Sequence, residues 1–517
     1  MPPSFGRRSL LLGMLGGAAA LSLSACGAPP LTVPDVAATG RARSGARMRI
    51  ARPAASAAET LDPASALSAY EYLGALYNRV VRLDRDGEVV ADLATDWSSN
   101  ADATVWTFRL RDGVRFHDGA PLTARDVRYT FGHISDPDVG SPQAGPLAIV
   151  EEVVAVDTLT VRFVLSTPNA EFPSLLTAYQ CYVIPEDSAE TIGRTGIGTG
   201  PFVLERFTAA GAGAVRANDD HFAGRPALDG IDFFSIQDAT ARVNALLAGQ
   251  VDLLAQTNLD NPTARVVAGS AGTTVARIAN AQWYTMPMLA TSEEYADPDV
   301  RRAMRLVYDP TAVLDTALQG EGSPGWDNPV PPHLSAWTEV ERPYDPDEAR
   351  SLLRRAGREG FSTRLYTSSY DPNFTAIATA YAEQAAQAGI DLRITNVAAE
   401  SYYTQVWMAQ PLMVSYWFTG RPVDQLLNQI FRSGSSYNES AWANESFDAL
   451  LDAARADTND DTRREKYRDA QRMIVEDGAC LTPVFGDRLV GLSEEVVGYD
   501  EYGFEMDYLA LGLRGNA

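Results

Sequence analysis

Of the 43 basic residues in this 517-residue chain only one, Lys466, is a lysine; there are four histidines and three cysteines. These scarcities exclude whole classes of chemistry. A phosphate loop ending in Gly-Lys-Ser/Thr has no lysine available, because Lys466 lies in a charge-rich helical stretch. His117, His133, His221 and His333 are scattered without His-x-x-x-His spacing, and no Cys-x-x-Cys pair exists, so no metal site is expected. There is no Gly-x-Ser-x-Gly nucleophile elbow. The 67 acidic residues guarantee chance carboxylate pairs, and none stands out as catalytic. Neither an enzyme nor a cofactor is therefore expected. Positive charge is also short. A formal net charge of −24 repels phosphate backbones, which excludes a nucleic-acid binder. Beyond residue 30 no run approaches the ~18 apolar residues of a membrane span, and no repeat of a solenoid or propeller is visible.

What is present describes a folded, exported protein. Hydrophobic residues make up 45% and charged residues 21%, a globular composition. The length is roughly three times that of a ~150-residue domain, so two or three cores are expected. Arg7-Arg8 precede an apolar run over residues 10–25, the layout of an export signal. Either the general secretory or the twin-arginine route is compatible with it. Leu23-Ser24-Ala25-Cys26 resembles a bacterial lipobox, which implies cleavage after residue 25 and diacylation of Cys26. Removing residues 1–25 deletes two arginines and no acid, taking the charge from −24 to −26. A chain this acidic has no electrostatic hold on an anionic membrane, so the lipid must supply it. Residues 26–47, rich in Pro, Ala and Gly, read as a flexible tether. Outside the cytoplasm Cys181 and Cys480 form either a disulfide or two buried thiols.

Local patterns indicate a mixed α/β class. Residues 104–110 alternate as a strand, with Val114-Arg115-Phe116 as a short return strand. Residues 153–165 alternate about Asp157-Thr158 like a hairpin. Thr123 caps a helix starting at Ala124, and Asp345-Pro346-Asp347-Glu348 starts another. Further helices are expected over 376–388, after Asn444, and over 463–476. The glycine-dense segment 196–201 lacks dinucleotide-loop spacing and reads as a turn into the strand Phe202-Val203-Leu204. Gln282-Trp283-Tyr284-Thr285-Met286 and Ser415-Tyr416-Trp417-Phe418 read as strands. Successive rings point to opposite faces, one into a core and the other either into a second core or into a cleft.

The string Trp-Thr-Phe-Arg-Leu-Arg-Asp-Gly-Val-Arg-Phe-His-Asp-Gly over 106–119, continuing to Val127, resembles the signature of the peptide/nickel/opine class (family 5) of solute-binding proteins that serve ABC importers. Six more matches follow the family's order. They are Leu61-Asp62-Pro63; Gly198-Thr199-Gly200-Pro201-Phe202; Leu247-Ala248-Gly249-Gln250-Val251-Asp252; Asp299-Val300-Arg301-Arg302-Ala303; Tyr344-Asp345-Pro346 with Leu352-Leu353; and Tyr467-Arg468-Asp469-Ala470-Gln471. Together they span about residues 48–495. The resemblance implies a two-lobed periplasmic-binding-protein-like α/β fold with a hinge and an extra subdomain inserted in the first lobe. By analogy residues 48–73, 195–280 and 482–517 form lobe I, 74–194 the inserted subdomain and 281–481 lobe II. It further implies a lipid-anchored, extracytoplasmic monomer that captures a peptide or related small organic solute. Its partners would be the permease subunits and cytoplasmic ATPase of an importer. An anionic non-peptide solute, opine-like or a metal chelate, or a role as a non-transporting sensor or docking lipoprotein, is the alternative.

Peptide-binding members of the class carry an aspartate just after the second-lobe tryptophan, paired with the ligand's α-amine. Here Arg421 stands about where that acid is expected, and the nearest aspartate is Asp424. An arginine fork suits a carboxylate or phosphate, unless Arg421 pairs with an acid outside the cleft. By the same resemblance Tyr70 borders the cleft after Leu61-Asp62-Pro63. Trp417 lies on the strand 415–418, Arg421 and Asp424 follow it, and Tyr284 and Met286 lie on the strand 282–286. Trp326 sits in the Gly/Pro-rich stretch 320–332, and Asn438 follows the turn at 433–436.

Overall fold

The computed structural model describes residues 45–53, 59–84, 86–209, 211–502 and 505–514. The export signal, Cys26 and the expected tether as far as residue 44 lie outside the described residues. Ala46 and Arg47, placed in the tether by composition, instead open the first strand.

A nine-stranded sheet holds the molecule together. Its strands are β1 (Ala46–Arg52), β2 (Phe202–Arg206), β3 (Gly213–Ala217), β4 (Leu228–Ser235), β5 (Leu253–Leu254), β6 (Thr273–Pro287), β7 (Gly322–Pro324), β8 (Ser415–Phe418) and β9 (Cys480–Ser493). Their order is β8-β6-β9-β5-β1-β4-β3-β2, with β7 added on β9. β1 is parallel to β4 and β5, Met48 lying opposite Ile231 and Ile50 opposite Leu253. Met48, Ile50, Phe202, Ile231, Phe233, Val490 and Leu492 form the core of the first lobe.

β6 and β9 run antiparallel through both lobes. Successive residues of β6 feed two cores of the second lobe. Tyr284 and Met286 face one, with the helices Pro298–Leu306 and Phe374–Gln387. Trp283 faces the other, with Trp417, Phe447 and Tyr467. The ladder is irregular between Ile278 and Gln282, where the two strands pass from one lobe to the other. On β9, Val484 and Phe485 still pack in the second lobe, whereas Val490 packs in the first. The crossover on β9 is therefore at about 486–488, a few residues after the 481/482 division suggested by analogy.

Between β1 and β2 the chain first forms helix α1 (Tyr70–Leu76), then an antiparallel sheet ordered Ala94–Ser99, Val105–Leu110, Thr160–Leu165, Val150–Ala155. Its core of Phe108, Phe163 and Phe172 is closed by helix α2 (Ala124–Ser135). At the start of α2, Thr123 Oγ1 accepts from Arg125 N–H at 3.2 Å and Asp126 Oδ2 accepts from Thr123 N–H at 2.8 Å. This capping box satisfies donors the first turn leaves open. Val114-Arg115-Phe116 is not a strand. After the Asp112-Gly113 turn only a single bridge, Arg115 to Pro121, closes the loop, which is too short to build a ladder.

Asp345 caps Pro346–Arg355 and Asn444 caps helix α4 (Glu445–Arg455), which packs against helix α5 (Asp460–Asp477); α3 (Val423–Ile430) precedes both. Cys181 and Cys480 are free and buried in different cores, so the disulfide alternative is corrected. Burial pushes the Cys181 thiol up to about 12, which keeps it protonated. No described helix is long and apolar enough to cross a membrane.

Candidate ligand-binding site

A cavity of about 1170 Å³ lies among the first lobe, the inserted subdomain and the second lobe. Its first-lobe wall begins at α1. Glu71, Tyr72 and Leu73 turn into the core, where Arg52 Nε donates to Glu71 at 2.9 Å. Tyr70, on the remaining face, lines the cavity with its ring edge-on to Tyr179 at 5.0 Å. The loop 196–201 supports this wall. His117 Nδ1 accepts from Gly198 N–H at 3.2 Å, and its Nε2 lies 3.1 Å from the Gly200 carbonyl. Burial lowers the His117 pKa, consistent with this neutral tautomer.

The second-lobe wall comes from edge strand β8. Trp417 pairs across from Trp283 on β6, the rings stacked at 6.3 Å. Trp283 is sealed in the core, while Trp417 reaches the cavity wall. The chain then turns sharply, Arg421 N–H donating to the Thr419 carbonyl at 2.7 Å, and enters α3. This turn presents Arg421 to the cavity. Its Nη1 donates to Gln429 Oε1 at 2.7 Å and its guanidinium carbon lies 5.4 Å from the Trp417 ring centre. Nε is buried without an acceptor, and Arg421 makes no ion pair among the described residues. Its neighbours on the same wall differ, since Arg432 pairs with Asp452 and Arg455 with Asp424. Burial pulls the Arg421 pKa down, and no carboxylate is among the neighbours that oppose this. A desolvated cation with no counter-charge is a strong acceptor of an anionic ligand group.

Of the residues expected to line the cleft, Tyr70, Trp417 and Arg421 meet at this cavity. The other five do not line it. Tyr284 and Met286 are fully buried because their side of β6 faces a helix-covered core. The Tyr284 hydroxyl donates to Asp371 at 3.2 Å and accepts from Asn373. Trp326 lies instead against Arg342, whose guanidinium carbon is 5.5 Å from a ring that the backbone holds at φ 50°. Asp424 is fully buried and its carboxylate is occupied. It accepts from Arg455 Nε and Nη2 at 2.9 Å each, from Tyr467 Oη at 3.0 Å and from Asn428 at 2.8 Å. That leaves no lone pair for a ligand amine. Asn438 is consumed by its own loop, donating to the carbonyls of Trp442 and Arg432 at 2.8 and 3.2 Å.

Gln429, Tyr179 and Tyr437 are among the wall residues that sequence reasoning missed. Gln429 lies two turns after Arg421, a spacing readable on a helix, but Tyr179 and Tyr437 carry no local signal. Among the described residues no group of three or more His, Cys, Asp or Glu side chains is placed to hold a metal.

The family description "bacterial extracellular solute-binding proteins, family 5 Middle" matches residues 88–439. A di/tripeptide-binding protein of Pseudomonas aeruginosa is 28% identical over 462 residues, covering 81% of this chain and 86% of its own. The glutathione-binding protein GsiB of Salmonella typhimurium is 26% identical over 473 residues, covering 87% and 91%. The periplasmic binding protein DppA of Helicobacter pylori, solved with the peptide STSA, superposes with a TM-score of 0.77 at 22% identity. It covers 92% of this chain and 99% of its own, which shows a shared fold.

Proposed function

The chain belongs to family 5 of the bacterial extracellular solute-binding proteins, and from that premise we propose that it is the lipid-anchored, extracytoplasmic capture component of an ABC importer for peptides or a related small organic solute. Cys26, in its lipobox-like setting, would carry the anchor, and permease subunits with their ATPase would receive the cargo. Ligand enters between the lobes, contacts both, and stabilises the closed form to the extent that it binds that form better. No bond is made or broken.

The observation that carries the ligand reading is Arg421, desolvated, unpaired with any described carboxylate and stacked over Trp417. With Asp424 committed to Arg455, the second-lobe wall is built to take a carboxylate or other anion rather than an α-amine. A peptide satisfies it through its C-terminus; an opine-like conjugate or a metal chelate with a free carboxylate satisfies it equally.

A thermal-shift panel tests this on the unlipidated protein. It holds di- to pentapeptides with free or acetylated N-termini, opine-like conjugates, sugar phosphates, and nickel with histidine. A ligand at ~100 times its Kd adds about 2.7 kcal/mol. Acetylated and free peptides are expected to stabilise alike, and Arg421→Ala is expected to abolish the effect. Stabilisation restricted to free-amine peptides and kept in Arg421→Ala would overturn the anion anchor.

A further inference from the structure

Glu439 is a buried carboxylate that the proposed function does not use. Asn438 ties its loop down by four hydrogen bonds and turns the next side chain inward, where Glu439 is 4% exposed. There Oε1 accepts from Trp407 Nε1 at 2.6 Å and Ser415 Oγ at 2.5 Å, and Oε2 from Trp417 Nε1 at 2.9 Å and Thr285 Oγ1 at 3.3 Å. No arginine, lysine or histidine pairs with it among the described residues. Two partners reach each oxygen: on each, one indole N–H, which can only donate, and one hydroxyl, which can also accept. The two indoles so held are ligand-facing or next to it. Trp417 lies under the Arg421 guanidinium, Tyr437 packs against Trp417 at 6.0 Å, and Trp407 packs against Tyr437 at 6.3 Å.

We propose that Glu439 is a positioning residue of the ligand site: its carboxylate clamps the Nε1 edges of Trp417 and Trp407 and so fixes the aromatic wall on which Arg421 presents its charge. The ligand-facing half of this rests on the anion-anchor reading above; the clamp itself does not.

The decisive variant is Glu439→Gln, which keeps size and shape but replaces one acceptor oxygen with an NH2 facing an indole N–H that can only donate. The first readout is the indole 15N–1H spectrum of the eight tryptophans, with Trp407 and Trp417 assigned by Trp→Phe variants. Both resonances are expected to move while the other six hold, which also reports an intact fold. The second readout is the Kd of N-acetyltrialanine, an anion without an amine, expected to weaken at least tenfold. Should Glu439→Gln not fold, Ser415→Ala removes a donor instead. It is expected to move the Trp407 resonance, which shares Oε1, and to leave Trp417 in place. Unmoved indoles overturn the clamp. Moved indoles with an unchanged Kd overturn its role in binding. A wild-type protein that does not bind N-acetyltrialanine overturns the anion anchor and the ligand-facing half with it, and the spectrum still decides the clamp.

Discussion

Arg421 and Asp424 stand three residues apart, yet one faces the cavity and the other is sealed beneath it. The difference is where their partners come from. Asp424 finds Arg455 and Tyr467, which lie on α4 and α5, and those partners exist only after the helices pack. A carboxylate with a different fate is Asp371, held in the second-lobe core near Tyr284 and Asn373. Burial raises its pKa from 3.8 to about 6, and its hydrogen bonds only partly offset this. Below about pH 4 both folded and unfolded chains hold the proton. As pH rises through 4 to 6 the unfolded chain releases it first, so folding loses on the order of 2–3 kcal/mol across that window. Asp371→Asn keeps the acceptor oxygen and removes the charge. Urea unfolding at pH 4 and pH 7 is expected to show that dependence shrink in the variant, with stability gained at pH 7; an unchanged pH profile would refute it. Neither fate was legible in the sequence, because burial of a single acid is a property of what packs over it.

At the scale of elements more was readable. The Thr123, Asp345 and Asn444 caps each sit where a short side chain meets a helical pattern, and each bonds the first-turn amides as expected. The strands at 282–286 and 415–418 are marked in the sequence by adjacent aromatics, but which face meets a cleft is not. Both faces of β6 are covered, and only the edge position of β8 leaves Trp417 at an open wall. The glycine-rich turn has a reason beyond flexibility. A Cβ on Gly200 would lie 2.4 Å from the Leu76 backbone carbon at the end of α1, so only glycine permits that approach. Gly200→Ala is expected to cost about 1–3 kcal/mol and to displace α1, and Tyr70 with it. Denaturant unfolding together with the affinity for the best probe of the panel would report both effects, and a variant as stable as the parent would show that the loop relaxes freely.

Across the whole molecule, the inserted subdomain also touches the second lobe directly. Ala170 N–H of the inserted subdomain donates to the Arg455 carbonyl at 2.7 Å, Glu171 pairs with Arg463, and Ser335 donates to Glu88 at 3.1 Å. These contacts join the inserted subdomain to the second lobe, so each opposes their separation. Arg463→Ala removes an ion pair worth roughly 1 kcal/mol, enough to raise the open population about fivefold. Small-angle scattering of the ligand-free protein is expected to give a larger radius of gyration in the variant; an unchanged radius would show that this contact does not govern closure.

The sequence by itself determined the family, the mixed α/β class, the helix starts capped by Thr123, Asp345 and Asn444 and most of the strands, because caps, periodicity and ordered motifs are local features of the chain. The tertiary structure alone decided that Arg421 is left without a counter-ion among the described residues, that Asp424, Tyr284 and Met286 are spent on the interior, and that Glu439 holds two tryptophans. Each of those outcomes depends on which distant residue arrives to desolvate or neutralise a group, and no spacing along the chain encodes that meeting.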